Sequence, residues 1–304
     1  MTSATAIVTP REHRRGILLM LGATLCWSIA GLLTRNSSIA NGWEVTFWRS
    51  FYTAAFLAVV MLGSHGRGAI TQIRAIGAHG AISGVLFAVM FTCFMLALTR
   101  TSTANTLVLT STSPFYAAIL GWLVLHERIP LRTWIAMPLA FAGITLMFAD
   151  SVAFGAGAGL AGNLIALLVP LAFAANIIVI RRTGHHIDLL PTVMIGGAIS
   201  AAVTLPFAMP FTANLNDHLL MLGLGVVQLG VGCVLMTRAA RYLRATEIGL
   251  LSLLETILGP LWTWIGVGET PTAMTLAGGA IVIGALFANE LAGLWLDPKP
   301  VTAP

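Results

Sequence analysis

The sequence predicts an all-α integral membrane protein whose ten transmembrane helices form two five-helix repeats of opposite orientation. Three observations predict it: a composition that water does not accommodate, ten apolar runs of spanning length, and a Lys/Arg distribution that alternates from loop to loop. Of the 304 residues, 57% are hydrophobic and 9% charged, and mean hydropathy is +0.90. A soluble domain carries about 25% charged residues, so the natural solvent for this chain is a bilayer. The formal charge of +5 and pI near 9.7 would suggest nucleic acid in a soluble protein. Here the basic residues sit between long apolar runs, where membrane topology accounts for them, and no nucleic-acid partner is expected. Cys26, Cys93 and Cys233 all fall in apolar stretches. They have no metal-ligand or disulfide spacing, so they read as buried free thiols.

The elements follow in chain order, each needing about 20 apolar residues to cross the hydrocarbon core. Residues 1–15 are polar and basic and read as a cytoplasmic tail. Hydrophobic segments continue to the end of the chain, so Gly16–Leu33 reads as a retained first helix and not as a signal peptide. Trp27 and Ser28 lie past its middle, either as a substrate wall or as packing. The second helix, Trp43–Leu62, holds Arg49, read as pairing with Glu44 or snorkelling to the interface. The third, Ile76–Leu98, begins with His79, which is either a pH-sensitive gate or an interfacial residue. In the fourth, Ser102–Leu125, the positions Ser102, Thr106, Leu109, Ser113 and Tyr116 share one face. Its hydroxyls either line a cavity or bond helix backbone, and Tyr116 needs a partner at mid-span. Pro114 permits a kink beside this face. The fifth helix, Leu131–Ala149, closes a first repeat of residues 16–149.

Residues 150–159 form the expected linker, and a second repeat covers residues 160–291. The sixth helix, Leu160–Ile180, carries Asn176, a cavity candidate. The seventh is Leu189–Phe211. The eighth, Leu219–Thr237, carries Gln228, a similar amide. The ninth, Thr246–Val267, aligns Ser252, Glu255, Gly259, Trp262 and Gly266 on one face, with Pro260 as a second kink position. Glu255 is the acidic residue placed well inside a span. A mid-bilayer charge costs roughly 2.5–3.5 kcal/mol, which makes such a group a functional candidate by default. It reads as a proton carrier, as a site for a substrate amino group, or as a packing carboxyl bonded to a neighbour. The tenth helix is Thr272–Leu291, followed by a cytoplasmic tail of residues 292–304. Trp43, Trp134 and Trp295 lie near span ends and fit an interfacial belt. Glycine pairs such as Gly80 and Gly84 suit close helix packing. They do not decide the oligomeric state, and a monomer is compatible with them.

Orientation follows from the basic residues, which favour cytoplasmic loops. With the N-terminus inside, Arg35 and Arg100 fall outside, Arg49 lies in a span, and the rest of the 16 Lys and Arg fall inside. Both termini are then cytoplasmic, in a multi-pass protein of the bacterial inner membrane. Internal repetition supports the same scheme. One constant shift places Ala97 on Ala239, Trp122 on Trp264 and Glu127 on Glu269; a slightly longer one places Arg35 on Arg181. Five is odd, so the halves cross in opposite senses, and inverted repeats mark secondary transporters.

The stretch Ala97–Met147, with Glu127-Arg128 after a Pro-containing helix, resembles the EamA-type family of the drug/metabolite transporter superfamily. His126 stands where that family usually has Gly. The second copy, Ala239–Leu286, has Gly268-Glu269 but Thr270 in place of Arg, and Glu255-Thr256 where Glu-Pro is common. Trp27-Ser28 and Trp48-Arg49-Ser50 resemble its first two helices. The resemblance covers nearly the whole chain. It implies export of amino acids, related metabolites or drugs through a cavity lined by helices one, three, four, six, eight and nine. The expected function is therefore a secondary transporter exporting amino acids, with apolar or aromatic ones favoured by Trp27, Tyr116 and Trp262. A passive facilitator or a drug exporter of the same fold is the alternative. No catalytic residue, cofactor or metal is expected: the Asp residues lie in loops or tails, and no GxSxG, HExxH or GxxxxGK[ST] motif is present.

Overall fold

In a computed structural model the described residues are 9–66, 68, 71–72, 76–126, 128–153, 157–183 and 189–296. Among them ten helices are long and apolar enough to cross a membrane. They are α1 (Pro10–Arg35), α2 (Gly42–Ser64), α3 (Gly77–Leu98), α4 (Thr103–Leu125), α5 (Leu131–Ala149), α6 (Gly159–Ile180), α7 (Leu190–Ala208), α8 (Leu215–Ala239), α9 (Thr246–Val267) and α10 (Ala273–Trp295). Their outward faces carry Val59, Phe141, Ile265 and other large apolar side chains that water would not tolerate.

The helix starts are written locally. Thr9 and Glu12 form a reciprocal capping box with Pro10 in the first turn, so α1 begins within the stretch expected to be tail. Asn41 caps α2, Ser102 caps α4, and Asn214 with Asp217 caps α8. The ends of α4 and α9 are related as the repeat predicts. His126 (φ 56°) and Gly268 (φ 72°) both adopt the left-handed C-cap conformation. Glycine takes this conformation freely, whereas a Cβ strains it, which explains why His126 stands at a position that favours Gly. The helix through α5 continues to Ala153 and the next begins at Gly157, so most of the expected linker is helical. Arg67, Arg74, Glu127, His185, His186, Asp188 and residues 297–304 lie outside the described residues.

Packing follows a twofold exchange of the halves. Helix α2 packs on α7 and α5 on α10, each pair joining equivalent elements. Helix α3 packs on α6 as α8 packs on α1, and α4 packs on α6 as α9 packs on α1. The α5–α10 pair is close: a Cβ on Gly143 would lie 2.6 Å from the Gly278 carbonyl oxygen. Helix α1 breaks at Ile29, α6 at Leu167, and α4 at Ser111–Thr112. Residues Gly223–Val231 of α8 form a π-helix. Such interruptions gather at functional sites, because they free backbone groups within the protein interior.

Candidate functional site

The bundle centre is built around Arg49 of α2. Thr46, Arg49, Ser50 and Thr53 recur at helical spacing, and all four are buried, so α2 turns a polar face inward. Arg49 is 2% exposed. It neither snorkels nor pairs with Glu44. That carboxylate instead accepts from the Thr212 and Ala213 amides at 2.8 and 2.9 Å and from the Thr212 hydroxyl at 2.7 Å. The polar stripe on α2 was visible as a pattern, but a nearby acid in sequence suggested a local pair.

Arg49 Nε donates to Gln228 Oε1 at 3.1 Å, and Gln228 Nε2 donates to the Trp27 carbonyl at 3.5 Å. The π-helical segment of α8 lies directly on α2: a Cβ at Gly225 would sit 2.7 Å from the Arg49 carbonyl oxygen, and Thr53 donates to the Gly225 carbonyl at 3.0 Å. This contact sets the register that brings Gln228 to Arg49. The rings of Phe91 and Phe94 on α3 flank the guanidinium, 5.7 and 5.6 Å from centroid to Cζ. Its Nη1 is buried without a hydrogen-bond partner among the described residues.

Glu255 of α9 and Cys233 of α8 are further titratable groups within these central helices. Glu255 forms no ion pair with Arg49 within 4.0 Å and no hydrogen bond to any described residue. An acid and a base thus lie in one bundle without contact. Two turns along the same face of α9, Trp262 Nε1 donates to Ser28 Oγ at 3.0 Å, and Ser28 donates to the Leu25 carbonyl at 2.8 Å. The Trp27 indole lies against Gly232 of α8.

Helices α1 and α9 run parallel in register, since three side-chain pairs share a separation of 234 residues. At one end His13 Nε2 meets Glu247 at 2.8 Å, in the middle Ser28 meets Trp262, and at the other end Arg35 Nε meets Glu269 at 2.8 Å. The Arg35 end is further secured. Arg35 donates to the Thr101 carbonyl at 2.6 Å, and Glu269 accepts from the Thr103 amide and hydroxyl at 2.6 and 3.1 Å. Asp217 also binds Ser37 and Ser38 there. A cleft of about 450 Å³ lined by Arg35, Ser102, Val267 and Glu269 marks that face.

Thus Trp27, Ser28, Gln228 and Trp262 come together, with Arg49 added from a helix outside the set that the family resemblance implied, and Glu255 lies two turns before Trp262 on α9. The other sequence candidates lie apart or are satisfied locally. His79 is exposed at the first turn of α3. Ser113 donates to the Thr110 carbonyl and Ser252 to the Gly249 carbonyl, each within its own helix. Asn176 is buried and accepts from Ser83 at 2.6 Å, joining α3 to α6. Tyr116 is half-buried, with no hydroxyl partner among the described residues. Pro114 stands in the first turn after the α4 break, whereas Pro260 lies within the continuous helix of α9. Among the described residues no group of three or more His, Cys, Asp or Glu could hold a metal ion.

A family model described as the EamA-like transporter family matches residues 14–149 and again 160–289. The pseudopaline exporter CntI of Pseudomonas aeruginosa is 25% identical over 281 residues, covering 90% of this chain and 95% of that protein. An uncharacterized transporter of Archaeoglobus fulgidus is 27% identical over 64% of this chain and 69% of its own. Human solute carrier family 35 member G1 is 21% identical over 67% and 60%. A crystal structure of a protein with 18% identity superposes with a TM-score of 0.62 over 93% of this chain and 98% of the other, a likeness of fold.

Proposed function

The chain belongs to the EamA-like transporter family, a multi-pass membrane transporter and not an enzyme, and from this membership we propose that it exports amino acids or related small metabolites by alternating access. The observation that carries the reading is Arg49, a guanidinium 2% exposed inside a span whose Nη1 has no partner among the described residues, in a bundle that also holds the acid Glu255 within α9. Burying Arg49 is costly, and ionisable groups in spans mark substrate or ion paths. The three ties between α1 and α9 supply a way to alternate. Both ends are latched in this structure, so access from either face requires one end pair to part while the Ser28–Trp262 contact stays near the pivot. Basic residues favour the cytoplasmic side, and Arg14, Arg15, Arg238 and Arg241 surround the His13 end in sequence. We assign that end to the cytoplasm of a bacterial inner membrane, and the Arg35 end to the outside.

On this reading Glu255 is placed to carry a proton or meet a cationic substrate group, with Trp27 and Trp262 as walls. Purified protein in liposomes preloaded with labelled amino acids tests it. Saturable efflux of at least one amino acid, absent from protein-free liposomes, is expected. Failure to move any amino acid, or conduction at channel rates, contradicts it.

A further inference from the structure

We propose that Arg49 is the docking point for a carboxylate on the transported molecule, so that the cargo enters the bundle centre acid end first against α2. The inference rests on the carrier reading and narrows its substrate class.

The guanidinium is held at Nε and lies beside two aromatic rings, and its terminal edge is buried with no acceptor among the described residues. Gln228 takes Nε, while Phe91 and Phe94 flank the plane. Gln228 is itself fixed by the Trp27 carbonyl. That arrangement immobilises the group while using a single N–H. Neither terminal nitrogen donates to any described residue, and Nη1 is sealed from solvent without a partner. A buried donor without an acceptor is destabilising, and more so for a charged group. The aromatic rings favour its charge but supply no lone pair. No carbonyl of a described residue closes this edge, and Glu255 makes no ion pair with it.

That unpartnered edge carries two parallel N–H groups, the geometry that a carboxylate fills with both oxygens. Charge narrows the class further. A zwitterionic amino acid is itself neutral, so it adds no net charge to the apolar centre. A phosphate dianion would leave charge unbalanced where water is scarce. The amino group of such a cargo faces Glu255, and its side chain faces Trp27 and Trp262.

The test compares four probe sets in proteoliposomes: labelled common amino acids, their amides, the amines that lack their carboxylate, and tetraphenylphosphonium. The wild type is expected to move one or more amino acids and not the corresponding amines. Arg49→Lys keeps the charge without the fork and is expected to raise the half-saturation concentration by about tenfold or more. Arg49→Gln is expected to abolish saturable flux. Should these variants fail to fold, the wild type alone decides, because the amide of a transported amino acid keeps its shape and loses only the anionic oxygen. Equal transport of acid and amide overturns the proposal, as does an unchanged half-saturation concentration in folded Arg49→Lys. Flux of tetraphenylphosphonium or amines with none of any amino acid overturns it while leaving a carrier in place. No flux of any probe counts against both readings.

Discussion

Arg35 Nε donates to Glu269 at 2.8 Å and so joins the last residue of α1 to the residue just beyond the C-cap of α9. His13 and Glu247 repeat the same 234-residue separation at the far end of the same two helices. One helix pair thus carries a charged latch at each face, and each latch supplies a test.

Glu269→Gln removes the charge that Arg35 meets and weakens the hold on Thr103. A partly exposed pair contributes on the order of 1 kcal/mol, so opening at the Arg35 face should become about fivefold more frequent. A cysteine introduced at Val267, which lines the cleft there, should react correspondingly faster with an impermeant thiol reagent. An unchanged rate would show that this latch does not govern access.

Glu247→Gln acts at the opposite face. It removes the charge that His13 meets and weakens the hold on the Arg244 amide. Cysteine labelling at Val267 should not rise in this variant, whereas efflux from the His13 side should change. Faster labelling at Val267 in this variant would mean that the two latches do not act independently.

Glu255→Gln keeps the shape of the side chain and removes its charge and its proton site. If Glu255 carries a proton, flux in the variant loses its dependence on an imposed pH gradient, while exchange of substrate for substrate persists. Flux against pH in proteoliposomes reads this out, and an unaltered profile removes the proton-carrier role.

His126→Gly relieves the left-handed strain at the end of α4. A side chain in that conformation costs roughly 1–2 kcal/mol, part of which the greater freedom of unfolded glycine offsets. A net gain of about 1 kcal/mol should raise the thermal unfolding midpoint of the detergent-solubilised protein by about 2 °C. A lower midpoint would indicate that the imidazole makes a stabilising contact.

Gly225→Ala introduces a Cβ 2.7 Å from the Arg49 carbonyl. Overpacking of this kind costs roughly 1–3 kcal/mol, and here it also displaces α8 from α2. The midpoint should fall, and transport should fall more than the loss of folded protein explains.

The ten spans were legible because each is a long apolar run in a chain with few charges, and the caps at Ser102 and Gly268 mark their own helix ends. The centre was legible in part. Glu255 stood out as an acid in an apolar helix, and Ser28, Gln228 and Trp262 as polar or aromatic residues facing inward. Arg49 was seen but misplaced. Glu44, five residues earlier in the chain, looked like its partner, yet α2 carries Glu44 to the loop before α8 and turns Arg49 into the bundle. Asn176 and Ser83 lie 93 residues apart, so no local pattern announced that they satisfy each other. Pro114 reads as permitting a kink in α4, and the helix breaks at Ser111–Thr112 with the proline in the first turn of the segment that follows.

Counterflow tests the central claim most directly. Vesicles containing the protein are filled with an excess of unlabelled amino acid and placed in a trace of the labelled form. A carrier that returns loaded through an alternating centre concentrates label inside transiently above its final level. Label that rises smoothly to equilibrium, at a rate indifferent to what the vesicles contain, would contradict alternating access around Arg49 and Glu255.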